Sequence, residues 1–272
     1  MKAVYRWTFY ILGMLVLALG LTLNTKAGLG VSPIISIAFA VSEIWGWNFG
    51  DMTFLLYSLF VAGQFVLRGK NSRLTDLLQL PLSLAFSRVL NLYSALIPYE
   101  AAEHGFLANF GLLLAAIFFT GAGAAITVNM KLVPNPGDGI VAAVAERLGR
   151  DQGFAKNVFD VGCVAVTCVL GLLAAGRIVG IGVGTIAAMI GVGRSIALVN
   201  YLGKQKMCLA AGLLQEEAPA GAQPAPAQAD APEEEAPEKA ESSLSSGQAE
   251  AASSQVEEVP AADTRSVLGQ ES

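Results

Sequence analysis

Arg88 stands inside an apolar run between Leu82 and Leu92, and Arg194 occupies nearly the corresponding place in a second such run. An ionisable side chain within hydrocarbon is costly enough to mark a solute path, a relay or a buried ion pair. A guanidinium presents a planar fork that grips a carboxylate or phosphate through two N–H groups, so two arginines facing one cavity would form an anion site. Arg194 has a plainer reading as well: it lies about two turns from the end of its run, within reach of snorkelling to the interface. Asp160, about a turn into a third run, is the natural acidic partner for an arginine. Glu43 and Glu146 stand near the ends of two shorter apolar segments. Because Arg147 and Arg150 follow Glu146, an i,i+4 pair on a solvated helix face is its simpler reading.

Two turns, Gly28-Leu29-Gly30-Val31-Ser32-Pro33 and Pro134-Asn135-Pro136-Gly137-Asp138-Gly139, precede the short segments. Backbone amides exposed at a helix start hold anions, although Gly and Pro also serve simply to make a tight turn before a surface helix. Asn24 and Asn129 share a position before these turns and are placed to cap or to coordinate. The candidate solute-binding residues are therefore Arg88, Asp160, Arg194, Asn24, Asn129, Ser32, Asp138 and Glu43.

Other chemistries lack their residues. Cys163, Cys168 and Cys208 show no CxxC spacing, and the one histidine, His104, has no ligand cluster around it, so neither a zinc site nor a disulfide framework is expected. No Ser/His/Asp set exists, and the reading is not an enzyme. Gly180-Ile181-Gly182-Val183-Gly184 lacks the strand-to-helix context of a nucleotide loop, so no cofactor is expected. With Gly191 and Gly193, these glycines instead suit close helix packing. Nothing points to nucleic acid.

The elements that must position these residues follow from composition. The chain is 54% hydrophobic and 14% charged, against roughly 25% charged residues in soluble domains. Its net charge of −5 describes mainly the segment from Gln215 onward, where acidic residues far outnumber Lys239 and Arg265; the body before it is net basic. A helix needs about 20 apolar residues to cross a bilayer, and six runs qualify: 7–26, 52–68, 75–97, 106–129, 157–176 and 179–202. The first follows Lys2 and Arg6 like a signal peptide, but no small-x-small cleavage site succeeds it, and it reads as a retained helix. The segments 33–47 and 138–149 are too short to span and are expected to be re-entrant or interfacial. If neither crosses, eleven basic residues, among them Arg68, Lys70, Arg73, Arg147 and Arg150, gather on one side, with only Lys26 and Arg177 on the other. The positive-inside rule then puts both termini in the cytoplasm.

Residues 22–67 align without gaps to 127–172, an offset of 105, with ten identities that include Thr22/Thr127, Asn24/Asn129, Lys26/Lys131 and Phe54/Phe159. Each half runs long helix, polar T-x-N-x-K end, Gly/Pro turn, short helix, then two long helices. Three spans per half is an odd number, so the second half enters from the opposite face. The expected fold is all-α and integral to the membrane: six transmembrane helices as two inverted-topology three-helix repeats, 1–104 and 105–206, each with a short helix. A disordered acidic cytoplasmic tail, 207–272, follows; rich in Ala, Pro, Gln, Ser and Glu, it has too little apolar surface to fold.

The stretch LGLTLNTKAGLGVSPIISIAFAVSEIWGWNFGDMTFLLYSLFVAGQFVLRGK, above all its GLGVSPI turn and FGDMTFL helix entry, resembles the bacterial YczE/YyaS/YitT group of membrane proteins. LVPNPGDGIVAAVAERLGRDQGFAKNVFDV and GRIVGIGVGTIAAMIGVG resemble the corresponding second-half stretches, so the likeness covers about 7–202. The resemblance implies a small multi-spanning protein of the bacterial inner membrane with two related halves, and leaves activity unassigned. Many secondary transporters are built from inverted repeats with a site beside broken or short helices, although fold symmetry does not by itself imply transport. Two readings remain. One is a carrier or facilitator of a small, candidate anionic solute, with a polar cavity at mid-depth flanked by both short helices. The other is a non-transporting scaffold or regulator that docks a cytoplasmic partner or a second copy.

Overall fold

The computed structural model describes residues 2–213, and among these every regular element is helical. The helices are α1 (Lys2–Lys26), α2 (Pro33–Trp45), α3 (Phe49–Arg68), α4 (Gln79–Leu96), α5 (Phe106–Asn129), α6 (Pro136–Leu148), α7 (Gln152–Ala175) and α8 (Val183–Ala210). Six of them, all but α2 and α6, are long and apolar enough to cross a membrane. The polarity of the bundle is that of a protein dissolved in lipid. Leu59, Val66, Leu107, Leu173 and Ile186 are exposed on its outside, whereas Thr22, Asn24, Ser36, Gln64, Gln79, Asp160 and Thr167 are buried within. This is a multi-span membrane protein.

Local chemistry sets the ends of the helices. Pro33 and Pro136 stand at the first turns of α2 and α6, and Gly46 and Gly149 close those helices in the left-handed conformation, with φ of 68° and 62°. Proline at a helix start costs no hydrogen bond, and glycine reaches positive φ without a Cβ clash. Asn48 caps α3 by accepting from the Asp51 N–H at 3.0 Å, and Asp151 caps α7 by accepting from the Phe154 N–H at 3.0 Å. These caps start α3 and α7 three and five residues earlier than the apolar runs suggest. At the other extreme, α8 continues to Ala210, so residues 207–210 belong to a helix and not to the tail. The remainder of the tail reading, 214–272, lies outside the described residues.

The centre of the bundle is an antiparallel crossing of α1 and α5 made possible by glycine. A Cβ on Gly20 would lie 2.3 Å from the Thr120 nitrogen, and one on Gly123 would lie 2.3 Å from the Leu17 nitrogen. Around this crossing, α4 packs on α1 and α8 on α5; α2 packs against α7 and α3, and α6 against α3 and α7.

The short helices are buried in the bundle, not laid on its rim. After α5 ends, the chain turns back along α1: the Met130 carbonyl accepts from Arg6 Nε at 2.6 Å, and the Val133 carbonyl accepts from Tyr10 Oη at 2.8 Å. Pro134, Asn135 and Pro136 then lie beside Met14 and Leu17. From Arg6 to Leu17 is roughly 16 Å of helix rise, so α6 begins near the middle of α1 and runs back outward. The loop before α2 does the same from the other end, where Asn24 and the 180–184 segment hold it. The Val31 N–H donates to the Gly180 carbonyl at 2.8 Å and the Gly184 N–H to the Leu29 carbonyl at 2.7 Å. The two helix starts meet: a Cβ on Gly137 would lie 3.1 Å from Ile34 Cγ2. Ile35 and Ile140 join Leu17, Leu21 and Tyr57 in one apolar cluster.

Candidate functional site

Two cavities open from opposite ends of the bundle, each bounded by one of the returning loops. At the end that holds the start of α1, a cavity of about 390 Å³ is lined by Arg68, Arg73, Asp76, Glu146 and Leu132–Pro134. At the other end, one of about 430 Å³ is lined by Gly28–Val31, Glu43, Phe106, Arg177 and the 178–183 segment. Where the short helices meet, apolar side chains separate the two cavities. A small void of about 20 Å³ lies to one side, between α1, α4 and the start of α6, beside Asn135, Gln79 and Ser83; it is about the size needed for one water. The polar cavity expected at mid-depth is thus replaced by two end vestibules with a closed centre, because Ile34, Ile35 and Ile140 fill the space between the helix starts.

Arg68 is the main polar group of the first vestibule. Its Nη1 donates to Asp76 Oδ2 at 3.0 Å, while Nε and Nη2 donate to the two carboxylate oxygens of Glu146 at 2.9 and 3.0 Å. This bidentate clamp ties α6 to α3 and to the turn before α4. It corrects the reading of Glu146 as a local i,i+4 partner: Arg147 and Arg150 lie at the exposed end of α6, whereas Arg68 projects from the helix on which α6 packs. Arg68 and Asp76 side chains are only 14% and 11% exposed, Glu146 58%. Arg68→Gln, which strands Asp76, is expected to destabilise the protein by about 2 kcal/mol, and Glu146→Gln by less than about 1 kcal/mol. Chemical denaturation in detergent micelles would rank them, and equal losses would exclude a clamp with one buried and one solvated arm.

Beside the start of α6, Asp138, Tyr57, Lys156 and Asp160 form the interior polar cluster. Tyr57 is fully buried with Asn135 and Asp138 as its polar neighbours. Asp160, 1% exposed, accepts from Lys156 Nζ at 2.8 Å through Oδ2, and its Oδ1 has no partner. The cation beside Asp160 is therefore a lysine one turn away, not an arginine. Its long stem reaches from the end of α7 into the bundle, which no arginine of α4 or α8 does. Two turns further along α7, Thr167 and Ser36 share a hydrogen bond of 2.7 Å between α7 and α2. Gln64 and Gln79 pair their amides at 3.0 and 2.9 Å, and Gln64 Nε2 also donates to the Pro136 carbonyl at 3.4 Å.

The candidates from sequence separate into those the fold brings inward and those it does not. Arg88 faces out of the bundle, 60% exposed, in an ion pair of 3.0 Å with Asp51. Ser83, Phe86, Ser87 and Leu90 are the inward positions of α4, and the helical period puts residue 88 on the opposite side. Arg194 is exposed on α8 and makes no ion pair among the described residues. The two arginines do not face a common cavity. Glu43 lines the second vestibule. Asn129, buried, donates to Asn200 Oδ1 at 2.7 Å. Asn24, Ser32, Asp138 and Asp160 do lie at or beside the short-helix starts. Asn24 is 2% exposed and its Oδ1 accepts from the Ser32 N–H at 2.6 Å. Sequence reasoning missed Lys156, which the i,i+4 spacing to Asp160 could have revealed. It also missed Arg68, Tyr57 and the Gln64–Gln79 pair, for which no local signal exists. No group of three or more metal-ligating side chains forms among the described residues.

Comparison with known proteins agrees with this architecture in class. Residues 4–201 match the model of a family of unknown function, DUF6198. Over 157 residues, 57% of this chain and 70% of the relative, the sequence is 25% identical to the uncharacterized membrane protein YczE of Bacillus subtilis (strain 168). The resemblance to the YczE-type group is thereby borne out. No solved structure matches.

Proposed function

Since the chain belongs to the DUF6198 family of unknown function, we propose from its geometry that it is a carrier or facilitator for a small solute. The observation behind this reading is the pair of vestibules, one at each end, separated by two short helices that meet start to start. In alternating access a path opens to one end at a time, and a small apolar contact between two vestibules is a barrier whose rearrangement, one repeat against the other, would do that. On this reading the two halves are inverted repeats. The partners of α2, namely α7 and α3, and those of α6, α3 and α7, exchange under the 105-residue offset, as do α1 with α4 and α5 with α8. The short helices are then re-entrant, and the membrane is the bacterial inner one. Both termini are cytoplasmic, because Lys2, Arg6, Arg68, Lys70 and Arg73 gather at the end where α1 starts.

Purified protein in liposomes, assayed for uptake against a broad panel of small metabolites, tests the proposal. At least one solute is expected to equilibrate faster than in empty vesicles, and Arg88→Ala and Arg194→Ala are expected to leave that rate unchanged because both side chains lie outside the path. Indifference of every solute, with a partner protein that co-purifies stoichiometrically, would favour the scaffold reading instead.

A further inference from the structure

We propose that the start of α2 is an anion site, in which the free Asn24 Nδ2 group and the Ile34 N–H hold a carboxylate or phosphate oxygen. The proposal rests on the transport reading only in taking the bound group to belong to the carried solute; the binding chemistry stands by itself.

Asn24 is fixed in one orientation. Its Oδ1 accepts from the Ser32 N–H at 2.6 Å, so a flipped amide would set a donor against a donor. The Nδ2 group therefore stands beside the helix start, is buried with the residue 2% exposed, and has no hydrogen-bond partner. A buried donor left unpaired is costly, and a ligand oxygen would remove that cost. The same helix start adds a positive end: α2 has thirteen residues, no acidic side chain in its first turn and no side-chain cap from Ser32. Pro33 has no N–H, and the Ser32 and Ile35 N–H groups donate to Asn24 and to the Ser32 carbonyl, so among the first three helical residues the Ile34 N–H is the one left for a ligand.

The start of α6 is the internal comparison, and it is self-satisfied. There Asn135 caps the helix by accepting from the Gly137 N–H at 3.0 Å, and Asp138 supplies a carboxylate in the first turn. At the position equivalent to Asn24, Asn129 spends its Nδ2 on Asn200. Only the first-half site is left with a donor and without an anion. The vestibule that reaches Gly28–Val31, just before it, carries Arg177 to draw an anion inward, with Glu43 also on its wall.

Asn24→Asp separates this site from the fold, since a carboxylate still accepts from the Ser32 N–H while replacing the free donor with a negative acceptor. The probes are inorganic phosphate and acetate, titrated at constant ionic strength against chloride into lipid-free protein in detergent, with thermal unfolding as readout. A parallel arm uses a short-chain phosphatidic acid, so that a solute anion and a lipid headgroup give different patterns. Wild type is expected to show saturable stabilisation by at least one probe. In Asn24→Asp the half-saturating concentration is expected to rise about tenfold or more, the equivalent of one lost charge-assisted hydrogen bond. Asn129→Asp, Arg88→Ala and Arg194→Ala are expected to respond as wild type does. Should Asn24→Asp fail to fold, anomalous scattering from selenate in wild-type crystals gives the same answer, with selenium expected beside Asn24 and Ile34. Absence of saturable stabilisation in wild type, an unchanged response in Asn24→Asp, or selenate bound elsewhere would each overturn the site. Binding without uptake would keep the anion site and remove the transport reading; uptake indifferent to Asn24→Asp would do the reverse.

Discussion

Lys156→Met is expected to destabilise the folded protein by about 2–4 kcal/mol, whereas Lys156→Met combined with Asp160→Asn is expected to restore most of the loss. Asp160 is 1% exposed and takes its one hydrogen bond from Lys156, 32% exposed, at 2.8 Å. Removing the lysine leaves a carboxylate in the interior with neither cation nor donor, next to Asp138. An uncompensated buried charge is what makes breaking such a pair far costlier than replacing it whole. Lipid on the outside of the bundle deepens the effect, because the interior cannot recruit water cheaply. Unfolding of the single and double variants in detergent and in lipid nanodiscs provides the measurement. Additive losses would mean that the two residues do not act as a pair.

The second large effect is expected at the crossing of α1 and α5. Gly123→Ala should cost at least about 3 kcal/mol or prevent the protein from accumulating, because the added methyl would meet the backbone of Leu17 at 2.3 Å and no side chain can yield there. Gly20→Ala meets the Thr120 backbone in the same way. Gly111→Ala, on the same helix but with nothing within 4 Å of its Cβ, is the control and is expected to be neutral or slightly stabilising. Expression level and thermal stability of the three variants would show whether the close approach is a requirement of the fold. Tolerance of Gly123→Ala would mean that α1 and α5 stand further apart.

Span number and the two short helices were legible because each depends on local chemistry. Length of apolar run counts crossings, and Ser32-Pro33 and Asn135-Pro136 mark helix starts whatever surrounds them. Boundaries slipped where a polar cap carried a helix past its apolar run, as at Asn48 and Asp151. The site was legible only in part. Depth along a span identified Arg88, but depth says nothing about which way a residue points; the pattern Ser83, Phe86, Ser87, Leu90 held that information, and it puts Arg88 outward. Asn24 and Ser32 were found through their place in a repeated motif, while the hydrogen bond that frees one half of the Asn24 amide depends on how the loop folds back. The Arg68–Glu146 clamp joins residues 78 positions apart, and the pair of Gln64 and Gln79 depends on how α3 and α4 pack; neither leaves a mark in the local sequence.

The transport reading depends on the two short helices meeting start to start between the vestibules, and a cross-link reports on that directly. Ile34→Cys and Gly137→Cys, introduced together with Cys163, Cys168 and Cys208 replaced, put a sulfur near the present Ile34 Cγ2, which lies 3.1 Å from a Cβ at 137. That is about the Cβ-to-sulfur separation across a disulfide. Mild oxidation in native membranes is expected to form the disulfide within a single chain, and the linked protein, returned to liposomes, is expected to lose solute uptake that reduction restores. Two thiols that stay free under oxidation, or uptake that continues with the link in place, would contradict the account.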